Sequence, residues 1–207
     1  MKTETTLSRP VRIVVIGAGN RAHKYLEYAR RNPEQLRLAA IVEVNDLRRR
    51  AMADAFGLPD KYCYAHYDDF FAERLDADMV LISTPENAHF DPAVKAIDAG
   101  YHVLLEKPIA QRLDECREMA RRARRRGVLV GVCHVLRYHP YFAKIRELVA
   151  SGRLGHVVSV NHTASVGLDR ATHSYVRGIF RRESEANPIL LAKCCHDIDF
   201  LLWLTGS

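Results

Sequence analysis

The sequence predicts an α/β fold: a doubly wound parallel sheet, followed by the start of a second α/β domain with an open antiparallel sheet. Three observations lead there. Short β-branched runs alternate with helical segments of similar size over residues 1–133. The first of those runs feeds a glycine turn that opens a helix. The texture then changes after Cys133, where one helix, one long strand-like stretch and one apolar segment replace the alternation.

The first element is read from Val11 to Ala22, VRIVVIGAGNRA. Val11 and Ile13 to Ile16 are β-branched and apolar, which suits a strand buried on both faces. Gly17-Ala18-Gly19-Asn20-Arg21-Ala22 is a G-x-G-x-x-A pattern. Gly17 permits the tight turn, Gly19 lets a phosphate approach the backbone, and the small Ala22 lets the helix pack close to the strand. The helix beginning at Asn20 and Arg21 aims unpaired N–H groups and its positive end at that place, so a dinucleotide diphosphate is the expected occupant. Alone, the glycines would also fit an ordinary strand-to-helix turn. The second strand, Leu36 to Val44, adds Glu43, 24 residues past Gly19, close to the spacing expected of the acid that binds the adenosine ribose hydroxyls.

The remaining elements follow in order. The first helix ends at Arg31, closed by Asn32-Pro33. A helix over Asp46–Phe56 stops at Gly57, a short strand lies near Tyr62 to His66, and Asp68 caps a short helix, Asp69 to Glu73. Met79 to Ser83 is the fourth strand, ended by Thr84-Pro85. Helix Ala88–Ala99 stops at Gly100. Strand His102–Leu105 runs into Glu106-Lys107-Pro108. Helix Leu113–Arg126 stops at Gly127, and strand Val128–Cys133 closes the series. Beyond it lie a helix, Pro140 to Ser151, a strand-like stretch, Val157 to Val166, and an apolar segment, Leu190 to Leu204. One strand makes a marginal sheet, so the chain is expected either to stop mid-domain or to be completed by another subunit. Met1 to Pro10 reads as a disordered lead-in.

The 207 residues carry a formal net charge of +6. Much of the excess lies in Arg48-Arg49-Arg50, Arg121-Arg122 and Arg124-Arg125-Arg126. No aromatics accompany these clusters, so solvated helix faces are expected rather than a nucleic-acid surface. Arg48 to Arg50 follow Glu43 closely and would tolerate a 2′-phosphate, which keeps NADP open beside NAD. The five cysteines form no CxxC, and the amino terminus lacks an apolar h-region, so a reducing cytoplasm is expected. No apolar run is long enough to span a bilayer. Cys194-Cys195-His196 invites a zinc reading, but adjacent side chains diverge too far to share one ion, and no metal site is expected.

TPENAHFDPAVKAIDAGYHVLLEKPIA (Thr84 to Ala110), RYHP (Arg137 to Pro140), SGRLG (Ser151 to Gly155) and CHDID (Cys195 to Asp199) occur in order. With the glycine motif they resemble the Gfo/Idh/MocA oxidoreductases over nearly the whole chain. The resemblance implies an NAD(P)-binding Rossmann domain, 1–133, joined to an incomplete substrate domain, 134–207. It also implies homo-oligomers when full length, and chemistry on sugars or cyclitols. Pro108 would follow a cis peptide that aims Lys107 into the cleft.

Hydride transfer at an alcohol carbon needs a base for the hydroxyl proton and a cation for the developing alkoxide. Lys107, just past a strand's carboxyl end, is the expected cation. His196 is the expected acid–base, with Asp199 three residues on and oriented to hold the imidazole. Cofactor contacts are expected from Gly17, Gly19, Asn20, Arg21, Ala22, Glu43, Glu106 and Lys107. By resemblance Thr84, Pro85 and His89 join them near the nicotinamide. Arg137, His173, Arg177, Lys193 and Asp199 are candidates for substrate contacts. One position departs from the resemblance: Ala192 stands where sugar-dehydrogenase relatives carry an aspartate, four residues before the histidine. That departure keeps two alternatives beside a sugar or polyol dehydrogenase: a glycosidase that retains NAD and oxidises transiently, and a non-catalytic nucleotide sensor.

Overall fold

The computed structural model describes residues 8–177 and 187–206. The chain divides into two compact units, Met1–Val132 and Cys133–Ser207. In the first unit the elements run β1 (Val11–Ile16), α1 (Asn20–Arg31), β2 (Leu36–Val42), α2 (Asp46–Phe56), β3 (Cys63–Tyr64), α3 (Tyr67–Glu73), β4 (Met79–Ile82), α4 (Phe90–Ala99), β5 (His102–Leu105), α5 (Leu113–Arg126) and β6 (Val130–Val132). The six strands form one sheet in the order β3-β2-β1-β4-β5-β6, and every pair is parallel.

Alternation along β1 explains the layers. Ile13 and Val15 face one way and pack with Ile41 and Leu81 under Ala22, Leu26 and Ala29 of α1 and Met52 and Ala53 of α2. Val14 and Ile16 face the other way, with Val80, Ile82, Val103 and Leu105, under Ala93, Ala96 and Ile97 of α4 and Met119 and Ala123 of α5. Both faces of the central strands are thus covered, which is why they carry continuous apolar runs. The winding reverses between β1 and β4, and at such a point the loops leave a crevice beyond the carboxyl ends of the strands.

Several boundaries differ from the sequence reading. The short third helix begins at Tyr67 with His66 as its N-cap residue, not at Asp69 behind Asp68. Its acids, Asp68 and Asp69, lie inside the first turn instead, where they complement the helix dipole. The third strand shrinks to two residues, since only Ile41 and Val42 offer it partners. β2 ends at Val42 rather than Val44, β6 covers only Val130–Val132, and a 3₁₀ turn, Glu86–Ala88, precedes α4.

In the second unit, α6 (Pro140–Ala150), α7 (Leu168–Ala171), a π-helical turn (Thr172–Val176), α8 (Ile189–Ala192) and α9 (Cys195–Thr205) are formed. The expected strand over Val157 to Val166 is absent. Those residues pair with no other strand, and among the described residues the only sheet is the parallel one. A strand without a neighbour leaves its backbone groups unpaired, and among the described residues no antiparallel sheet is formed. The apolar segment Leu190 to Leu204 is two helices, α8 and α9, broken at Lys193-Cys194. Most of the expected lead-in lies outside the described residues.

The amino edge of the parallel sheet is held by Asp78. Its carboxylate accepts the Arg12 backbone N–H at 2.7 Å and N–H groups from the two terminal guanidinium nitrogens of Arg9 at 2.6 and 2.7 Å. The Arg9 hydrogen bonds hold its carboxyl down at about 2, against an ordinary 3.8. A carboxylate with a depressed folded-state pKa stabilises above its unfolded pKa and loses that contribution as pH falls through the folded value. Asp78→Asn is therefore expected to lower stability in urea by about 1 kcal/mol at neutral pH. The gap between the two proteins should narrow as pH drops from 4 towards 2, and a gap independent of pH would contradict this.

Candidate active site

β1 delivers the glycine turn to the crevice. Gly17 has φ +94°, and a Cβ on it would lie 2.9 Å from Ser83 backbone atoms and the Thr84 nitrogen. Only glycine combines that dihedral with so close an approach. The turn is then pinned from several sides. The Gly17 N–H donates to Val42 O at 2.8 Å, and Ser83 Oγ donates to Gly17 O at 2.7 Å. Gly19 differs: a Cβ there would meet nothing within 4 Å, so its backbone faces open space.

α1, which starts at this opening, has no side-chain N-cap and no acid in its first turn. By contrast Asn45 caps α2, and on α5 the Glu115 carboxylate accepts the Arg112 backbone N–H at 3.3 Å. The N–H groups and positive end of α1 thus meet no anionic or capping side chain of their own. An opening above Gly19 beside such a helix end fits a dinucleotide diphosphate. Ala22 is fully buried against the sheet, as the motif requires, while Asn20 and Arg21 are exposed at the rim.

Glu43 does more than the sequence reading assigned to it. It is 6% exposed. One carboxylate oxygen accepts the Ala18 N–H at 2.8 Å; the other accepts the Asn45 N–H at 2.9 Å and an Arg48 N–H at 3.0 Å. It therefore braces the glycine loop from below. Arg49 and Arg50 pair with Asp46, while Arg121 and Arg122 pair with Glu118, so these arginines are engaged with acids on their own helices.

On the β5 side, Glu106 is also buried. Tyr25 Oη donates to it at 2.5 Å, Arg21 Nε lies 3.6 Å away, and its second oxygen accepts the Lys107 N–H at 3.0 Å. Lys107 itself is half-buried, and the Lys107–Pro108 peptide is cis. Thr84 and Pro85 lie in the turn after β4, where Thr84 Oγ1 donates to Ala88 O at 3.0 Å. His89 is 1% exposed, and both of its ring nitrogens lie against backbone carbonyls. A ring so enclosed has no free edge for a ligand, which corrects its placement among direct cofactor contacts. Tyr25 and Ser83 were not singled out in the sequence; only their long-range partners reveal them.

In the second unit, Asp199 is paired with Arg137. Its carboxylate takes a bidentate bond from Arg137, at 2.8 and 2.7 Å, and lies 3.9 Å from His134 Nε2. The guanidinium's planar fork suits that carboxylate better than an imidazole one turn away does. The bond to Asp199 raises the Arg137 pKa. Arg137 and Asp199 are thus engaged with each other, with the Arg137 side chain still 41% exposed. His196 packs edge-on against the His134 ring at 5.8 Å, and Asp197 accepts from His162 at 2.8 Å. Lys193 is half-buried, Ala192 is buried, and His173 and Arg177 are exposed. Cys194, Cys195 and His196 belong to no group of three or more metal-ligating side chains among the described residues.

Residues 11–134 match the model described as the oxidoreductase family with an NAD-binding Rossmann fold, and residues 142–207 match the GFO/IDH/MocA C-terminal domain. The chain belongs to the GFO/IDH/MocA family. Among its GFO/IDH/MocA relatives, it is 33% identical over 132 residues to 1,5-anhydro-D-fructose reductase from Ensifer adhaerens, covering 64% of this chain and 39% of that protein. It is 36% identical over 130 residues to D-xylose 1-dehydrogenase (NADP(+)) 2 from Haloferax volcanii, covering 63% and 39%. The fold resembles the WlbA dehydrogenase from Bordetella pertussis, solved with NADH and UDP-GlcNAcA: TM-score 0.82, 21% identity, 96% of this chain and 58% of that one. The chain thus spans well under two thirds of the length of each. Among the described residues no helix is long and apolar enough to cross a membrane.

The two glycines of the GFO/IDH/MocA loop are expected to separate on substitution. Gly17→Ala meets backbone and a left-handed dihedral, and should destabilise the fold by about 1–3 kcal/mol. Gly19→Ala meets open space, and should leave stability within about 1 kcal/mol while weakening NADH about tenfold or more. Thermal denaturation and NADH fluorescence titration measure both, and a Gly19→Ala protein that binds NADH normally would contradict the assignment.

Proposed function

We propose that this protein is an NAD(P)-dependent oxidoreductase acting on a hydroxyl-bearing carbon of a sugar, cyclitol or related polyol. The observation that carries the proposal is the uncapped start of α1 above the open backbone of Gly19, beside the seam where Gly17 meets Ser83. A 1,5-anhydro-D-fructose reductase and a D-xylose 1-dehydrogenase among the relatives support the substrate class. NAD(P), when bound, supplies the hydride acceptor or donor.

The chain's own residues have separable tasks. Gly19, Asn20, Arg21 and Ala22 offer backbone N–H groups to the diphosphate. Glu43 holds the loop and faces the adenosine ribose, and Arg48 partly neutralises it, which admits NADP alongside NAD. Glu106 fixes the backbone on which Lys107 sits. The Lys107 ammonium stabilises negative charge developing on the substrate oxygen. His196 receives or returns the hydroxyl proton. Lys193, His173 and Arg177 are proposed as substrate contacts. Homo-oligomerisation and a cytoplasmic location remain part of the same proposal.

A panel of sugars and polyols with NAD or NADP, followed by the absorbance of the reduced cofactor, tests the activity. Lys107→Ala is expected to lower kcat by roughly a hundred- to ten-thousand-fold while NADH affinity changes by less than about tenfold. Turnover unchanged by Lys107→Ala would contradict the role given to the lysine. Tight NADH binding without turnover across the panel would favour the sensor reading instead.

A further inference from the structure

Two turns at the carboxyl end of the parallel sheet flank the proposed catalytic lysine: Thr84-Pro85 after β4 and Lys107-Pro108 after β5. Neither turn is tied to the other by the β4–β5 ladder, whose last pair is Ile82 with Leu105. The His89 side chain reaches both. His89 Nδ1 lies 2.8 Å from Pro108 O, and His89 Nε2 lies 3.1 Å from Thr84 O. The residue is 1% exposed, and its contact with Pro108 O is buried while that with Thr84 O is partly buried.

We propose that His89 is a positioning residue that clamps the Thr84 turn to the Lys107-Pro108 turn and thereby fixes where Lys107 meets the nicotinamide end of the cofactor. The inference rests on the dinucleotide reading above. Glu43 lies on the β2 side of the glycine loop, so a dinucleotide with its adenosine there sends its other end towards β4 and β5. Those are the strands whose turns His89 joins.

The imidazole is suited to this. It is planar and rigid, with polar atoms on opposite edges; both partners are carbonyl oxygens, which only accept, so the ring donates to both turns when both nitrogens carry a proton and to one of them when one does. The turn leading into His89 is fixed too, because Ala88 N–H donates to Pro85 O at 2.8 Å and Thr84 Oγ1 donates to Ala88 O at 3.0 Å, and His89 O accepts the Ala93 N–H at 3.2 Å. Lys107 is thus bracketed. On its amino side Glu106 is held by Tyr25 of α1; on its carboxyl side the Pro108 carbonyl is held by His89. A buried carbonyl outside the ladder needs such a donor. Loss of the clamp lets the lysine turn drift, and positioning errors of this kind weaken function far more than they weaken the fold.

The test compares two ligands on the protein and on its His89→Gln and His89→Phe variants. ADP-ribose carries the adenosine and diphosphate but not the nicotinamide; NADH carries all three. The expected result is ADP-ribose affinity within about threefold of the parent in both variants. NADH should weaken about tenfold in His89→Phe, and by less in His89→Gln, whose amide keeps one donor. Equal changes for both ligands, or none, would make His89 an ordinary core residue and overturn the proposal. If the parent protein binds neither ligand, the dinucleotide reading falls first and the clamp falls with it. A second measurement needs no cofactor and guards against poor folding of the phenylalanine variant. The reductive-methylation rate of Lys107, read by peptide mass spectrometry, should shift at least about threefold in His89→Gln. An unchanged rate overturns the proposal.

Discussion

The contact between Gly17 and the Ser83–Thr84 backbone is the constraint on which the site depends. A side chain at position 17 would need the space those backbone atoms occupy. That closeness brings the end of β1 against the end of β4, at the point where the winding of the sheet reverses. It sets the start of α1 over the crevice and brings the turn after β4 alongside it. The neighbouring residues reinforce the seam: Ser83 Oγ holds the Gly17 carbonyl, and Val42 O receives its N–H.

Polar side chains around the crevice act mainly on backbone. Glu43 takes the N–H groups of Ala18 and Asn45, Glu106 takes that of Lys107, and His89 meets the carbonyls of Thr84 and Pro108. All three are buried, and all three fix loops that leave parallel strands. Loops lack ladder partners, so buried polar side chains are the means available to make them rigid. Preorganised loops are what an electrostatic site requires, because donors that need not rearrange contribute most to a developing charge.

Much of the first unit was legible because its signals are local. The β-branched run of β1, the G-x-G-x-x-A turn, and Gly57, Gly100 and Gly127 behind three helices all act within a few residues of themselves. These mark α1, α2, β5 and α5 at the bounds the structure adopts. What was missed depends on distant partners. Tyr25 and Glu106 are 81 positions apart, and Arg137 and Asp199 are 62 apart. Spacing on a helix puts Asp199 three residues past His196 but could not reveal the Arg137 guanidinium that pairs with it. Val157 to Val166 has strand composition, yet a strand exists only with a neighbour, and none is formed there. His89 was recognised as belonging to the site, but its burial and its two carbonyl partners give it a structural task rather than a ligand contact.

The central claim is that the loop from Gly17 to Ala22 receives the cofactor's diphosphate. Amide nuclear magnetic resonance during an NAD titration tests it most directly, because the N–H groups of that loop are themselves the proposed donors. The account predicts that the largest shifts fall on Gly19, Asn20, Arg21 and Ala22, with smaller ones around Glu43 and Thr84. Saturable NAD binding that leaves those four amides unmoved, or no binding at all, would contradict it.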